Sequence, residues 1–194
     1  MALSTPKSES AREDGTPDGW SPPAAFLRDV GPGGQTQLVV SVPTAWLGAV
    51  HRELVAALAP PLGLLYRQLV DRRDPQPQGA PPRDFVGLEM DPAAVASALL
   101  QFEDLIYHDA RCELWVRGAM NDQIILDADG LLYLVPDDPA FEDVLRGAGL
   151  SDDLGQTIRD RDYAKHWFHA PNDALEDAFL KALRLTEVPS FKAR

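Results

Sequence analysis

The stretch from Asp91 to Leu150 limits the possible folds more than any other part of the chain, because capping, periodicity and turn chemistry agree there across consecutive elements. Asp91 offers a side-chain acceptor to the orphan amides of a helix start, and Pro92 presets φ at the first helical position. Val95, Leu99, Phe102 and Ile106 then recur at helical spacing, while Ser97, Gln101, Glu103 and Asp104 take other faces. Burying four such side chains is worth roughly 6 to 12 kcal/mol before entropy, which makes the stripe a core face. Arg111 to Arg117 alternates, with Cys112, Leu114 and Val116 on one side and Glu113, Trp115 and Arg117 on the other, the pattern of a strand with one wet face. Gln123 to Leu126 and Leu131 to Val135 flank Asp127-Ala128-Asp129-Gly130, a hairpin spacing with Gly130 where φ must be positive. Asp138-Pro139 repeats the helix-start chemistry, and Phe141, Val144 and Leu145 supply a short apolar stripe ended by Gly147 or Gly149.

Around this unit the signals are sparser. Gln37 to Val42 reads as a short strand, and Thr44 as the N-cap of an amphipathic helix over 45–59 that carries Leu47, Val50, Leu54 and Leu58 and stops at Pro60-Pro61. Leu62 to Val70 fits either a helix or a buried strand. Its length, and the Pro-rich loop after it, favour a strand hairpinned with Phe85 to Glu89. Asn172 or Asp173 is expected to cap a last helix through Arg184, with Glu176 closing a capping box and Leu175, Phe179, Ala182 and Leu183 inward. The whole reads as an α+β single domain over residues 35–188: a mixed or mostly antiparallel sheet packed by two main amphipathic helices plus a C-terminal helix. Residues 1–34, rich in Ser, Thr, Pro, Gly and charge, read as a disordered tail and loop, and residues 189–194 as a frayed end.

Thirty acidic against 18 basic residues give a formal net charge of −12, which repels phosphate backbones and anionic membranes, so neither nucleic acid nor membrane is the expected partner. A single cysteine, Cys112, rules out an intramolecular disulfide and a thiolate-rich metal site, and its place among the apolar residues of its strand makes it a structural thiol. With no basic, apolar leader and no run long enough to span a bilayer, the expected location is a reducing cytoplasm.

Chemistry has few places to reside. Gly31-Pro32-Gly33-Gly34 lacks the Lys and Ser/Thr of a phosphate-binding loop. A calcium loop built on Asp127, Asp129 and Gly130 would place Ile125 and Pro136 at ligand positions, where neither offers a side-chain oxygen. Ser4 and Lys7 match SxxK only within the expected tail. One segment, Asp160 to His169, gathers several functional groups: His166 and His169, with Asp162 upstream, are the candidate catalytic residues of a metal-assisted hydrolase or nuclease. The spacing is not that of HExxH, and no cofactor or metal is called for by any motif. Missing templates do not exclude an enzyme, since active sites assemble from distant positions.

The reading the sequence favours is a non-catalytic acidic interaction domain, of the kind an immunity protein, inhibitor or adaptor would be, binding a basic protein surface. Its expected contact residues are Asp127, Asp129, Asp137, Asp138, Glu142 and Asp143, together with Trp115.

Overall fold

The structure, a computed structural model, describes residues 5–77, 79–167 and 169–189. The alternating apolar segments pair into one antiparallel sheet. β2 (Ala25–Val30) and β3 (Thr36–Ser41) form a hairpin, β4 (Leu62–Gln68) and β5 (Arg83–Met90) a second, and β6 (Cys112–Arg117), β7 (Gln123–Leu126) and β8 (Leu132–Val135) a meander. With β10 (Thr186–Val188), the order across the eight strands is β10-β5-β4-β6-β7-β8-β3-β2. The ambiguous Leu62 segment is therefore a strand. It lies between β5 and β6, and Leu62, Leu64, Tyr66 and Gln68 alternate into the interior.

Helices cover a single face of this sheet. α1 (Thr44–Ala57), α2 (Pro92–Gln101), α3 (Glu103–His108), α4 (Pro139–Gly147) and α5 (Asn172–Ala182) send Leu54, Leu99, Ile106, Leu145 and Phe179 into the cluster that holds the inward residues of β2 to β8, such as Phe26, Val40, Leu114 and Ile124. The Asp91 stripe is fully buried, yet the helix breaks at Phe102, where φ −110° and ψ 29° end α2 and begin α3. Phe102 stays inward and meets Phe179 edge-on at 5.6 Å, so the break reorients the backbone and keeps the stripe. Among the described residues no helix is long and apolar enough to cross a membrane.

Several local expectations are corrected. Thr44 is not a cap: Pro43 takes that position, without a side-chain hydrogen bond, and Thr44 is the first helical residue. Asp91 and Asp138 do cap, accepting from the amides of Ala93 and Ala140. At α5 the cap position belongs to Pro171, and no capping box forms because Asn172, Asp173 and Glu176 all bond elsewhere; Ala182 is exposed.

The N-terminal region also departs from its reading as tail. Residues 25–30 form the edge strand, and β1 (Ser8–Ser10) pairs with β9 (Tyr163–Lys165) in a separate two-stranded sheet. Lys7 is buried, donating from Nζ to the carbonyls of Ile106 (3.1 Å) and Cys112 (2.9 Å), which pins this strap across the junction of α3 and β6. Its SxxK partner Ser4, and residues 190–194 of the expected frayed end, lie outside the described residues. β10 occupies the stretch just before them, paired with β5.

Candidate functional site

The acidic residues expected to form a contact surface are mostly consumed within the molecule. Asp127 and Asp129 are 3% and 8% exposed, so neither presents a surface. The Asp127 Oδ1 accepts the amides of Asp129 and Leu131 at 2.8 Å, holding the β7–β8 turn. Arg159 binds both carboxylates, from Nη2 to Asp127 at 2.8 Å and from Nε to Asp129 at 3.0 Å; Lys165 and the Ser8 hydroxyl complete the shell of Asp129. Burial pushes the Asp127 carboxyl up to about 6 despite Arg159 beside it, whereas the contacts to Lys165 and Arg159 hold Asp129 below the ordinary value against its burial.

Asp137 is bound by Arg28 Nε and the Thr36 hydroxyl at 2.5 Å each, and its pKa is lowered, chiefly by the Thr36 hydroxyl. Glu142 bonds Arg28 and, at 2.9 Å, Arg146; Asp138 serves as the α4 cap. Of the expected acidic contact residues, Asp143 alone is exposed and has no ion pair among the described residues. Arg28 and Lys165 lie far from these acids in sequence, which is why the acids look unpaired on a linear reading.

The histidine segment is held by its backbone. His166 donates its amide to the Lys7 carbonyl and accepts from Ala110, while the His169 carbonyl accepts from Arg111 Nη2 and the Asn172 amide. His166 Nε2 lies 3.5 Å from a Glu9 oxygen; His169 Nε2 is enclosed without a hydrogen bond among the described residues; Asp162 is exposed. Among the described residues, no group of three or more His, Cys, Asp and Glu is placed to hold a metal ion.

Sequence reasoning missed a buried ionic network beneath α5. Arg111, fully buried, donates from Nε to Asp109 at 2.9 Å and from Nη1 to Asp173 at 2.7 Å, with Glu176 at 3.6 Å. Glu176 accepts the Tyr66 hydroxyl at 2.5 Å, and Arg73 reaches both Glu176 and Asp177. Burial raises the Glu176 carboxyl and the Tyr66 hydroxyl. Each of these charges has a partner, and the network docks α5 on the sheet. Burial pushes the Cys112 thiol up to about 11, which favours its protonated form.

A cleft of about 670 Å³ lies where the ends of β5 and α5 meet the start of α2. Its charged residues are Glu89, Asp91 and Arg184, and Thr186 is the one hydroxyl among the described residues that line it. Glu89 and Arg184 both have φ near 52°. The Arg184 and Leu185 amides bond the Lys181 and Leu180 carbonyls, so the left-handed residue closes α5, a backbone task that accounts for its conformation.

Two surfaces remain. On the solvent side of the helices, Glu53, Glu103, Asp104 and Asp143 are exposed with no ion pair among the described residues, alongside Trp46 (45% exposed) and Leu100 (59%). On the opposite side, the outward row Val86, Leu65, Trp115, Ile125, Tyr133, Val39 and Leu27 crosses the sheet in register. Leu154 packs over the Ala25 and Val39 end, and Arg159 lies over Tyr133. At the other end Trp115 is covered in part by Arg67, whose guanidinium sits 5.4 Å from the indole. No family model, curated protein or solved structure matches the chain.

Proposed function

We propose that the chain is a non-catalytic interaction domain that binds a basic protein surface through the solvent side of its helical layer. The observation that carries this reading is how the charge is sorted. Acids around the β7–β8 turn and the start of α4 are neutralised by Arg159, Lys165, Arg28 and Arg146, whereas Glu53, Glu103, Asp104 and Asp143 on α1, α3 and α4 have no ion pair among the described residues. Unpaired charge of one sign steers a partner of opposite sign, and an exposed tryptophan such as Trp46 provides the aromatic anchor that interfaces concentrate at their centres. The contact surface moves accordingly: of the acids expected from sequence, Asp143 stays in it.

Affinity capture from a lysate of the source organism, at low and high salt, tests this with the wild type and a Glu53→Lys, Asp143→Lys double variant. The expected result is a basic protein retained by the wild type at low salt, lost at high salt and lost from the variant. A Trp46→Ala chain should lose the same protein without regard to salt. Capture indifferent to all of these changes would remove the reading.

A further inference from the structure

The uncovered half of the sheet face has a different character, and it is independent of the acidic helical side. Its central row is apolar and aromatic, and on β6 and β4 the residues on either side of that row are opposites, in charge on β6 and in size on β4. On β6 the outward residues are Glu113, Trp115 and Arg117; on the adjoining β4 they are Gly63, Leu65 and Arg67, with Gly63 opposite Arg117 and Arg67 opposite Glu113. Reversing the strand direction therefore sets an acid over a base on β6 and an absent side chain over the longest one on β4.

We infer that this face is the seat of a second copy of the same chain, packed face to face over β5, β4 and β6 about a two-fold axis that runs along the row above its Leu65 and Trp115 part, the two sheets diverging toward the end that Leu154 and Arg159 cover. Only such an axis reverses the strands while laying the row on itself. It places Glu113 opposite Arg117 of the second copy, and by symmetry Arg117 opposite its Glu113, while Arg67 lies above the open space at Gly63. A Cβ built on Gly63 would meet no atom closer than 3.9 Å, so that space is real. It continues into a depression of about 200 Å³, walled by Leu65, Val86, Leu88, Trp115 and Arg117, which lets two indoles meeting near the axis slide past one another.

Charge agrees with this occupant. A chain of net charge −12 repels its own copies, and this half-face is a place where the opposed charges balance: Arg67 bonds Asp84 at 2.8 Å, while Glu113 accepts from the Trp115 indole and Arg117 donates to the Asn121 side chain, neutral partners that leave one acid and one base to pair across the axis. Leu88, 77% exposed at its margin, would be covered.

Sedimentation of the full chain over a range of concentrations tests the inference, with Glu113→Arg and Arg117→Glu as separate variants. The wild type is expected as a dimer. Each single swap sets like charges opposite one another twice per dimer and should weaken self-association by at least about tenfold. Mixing the two swapped proteins in equal amounts restores both opposite-charge pairs, so a heterodimer should form from two weakly associating chains. Both positions lie on the outward side of β6, and circular dichroism verifies that each variant is folded. A wild type that sediments as a monomer at every concentration overturns the inference, as does a mixture no more associated than its components. A monomer that holds an unrelated protein through Trp115 also overturns it and gives the face to that protein, without bearing on the helical side.

Discussion

At the scale of single residues, the interior carries ionisable groups whose titration opposes one another. His51 is fully buried on α1, with its Nδ1 3.0 Å from the Tyr107 hydroxyl, and desolvation drives its pKa down to about 3. As pH falls below about 6.5 the unfolded chain protonates this histidine and the native chain does not, so stability is lost at about 1.4 kcal/mol per pH unit. Asp127 works in the other direction. Its native pKa of about 6 lies above the unfolded value, so the native state takes the proton first, and the stability tied to that proton is lost as pH rises toward 6. Between about pH 4 and 6 the two slopes offset each other. Relative to wild type, Asp127→Asn should therefore lose stability more steeply on acidification, and His51→Phe less steeply, in urea unfolding measured across that window. Parallel pH profiles for all three proteins would contradict this assignment.

At the scale of elements, what the sequence discloses depends on how far apart the partners are. The α2 start was legible because its acceptor and its amide are two residues apart, and the β7–β8 hairpin because its turn closes over Asp127 to Gly130, with Gly130 at φ 85°. β1 and β10 were not, since three-residue strands have no periodicity of their own and exist through Ser8 facing Lys165 and Thr186 facing Val86. The same distance hid the fate of the acids. Glu142 meets Arg28 across 114 residues and Asp127 meets Arg159 across 32, so a linear reading placed a binding surface where the fold builds ion pairs. Glu176 looked like a capping residue by spacing and is instead the buried acceptor for Tyr66. Capping separates the cases experimentally: Asp91→Ala should cost about 1 kcal/mol in denaturant unfolding, and Thr44→Ala, whose hydroxyl caps nothing, close to none. Equal losses at the two sites would mean that the helix starts are not as described.

At the scale of the molecule, a one-sided sheet divides the surface into two unlike halves. Helices bury the inward face of the sheet and carry unpaired acid on their own solvent side; the outward sheet face is apolar along its centre and balanced in charge beside it. On the two proposals made above, each half has a different occupant, a basic protein on the helices and a second copy on the sheet. A cross-linking map made in living cells tests it most directly, with a photoreactive residue placed singly at Trp46, Leu100, Leu65 or Val30. The account expects Trp46 and Leu100 to capture a different, basic protein, Leu65 to capture this chain itself, and the edge position Val30 to capture neither. Adducts spread over the four positions without regard to face, or none from the helical positions, would contradict it.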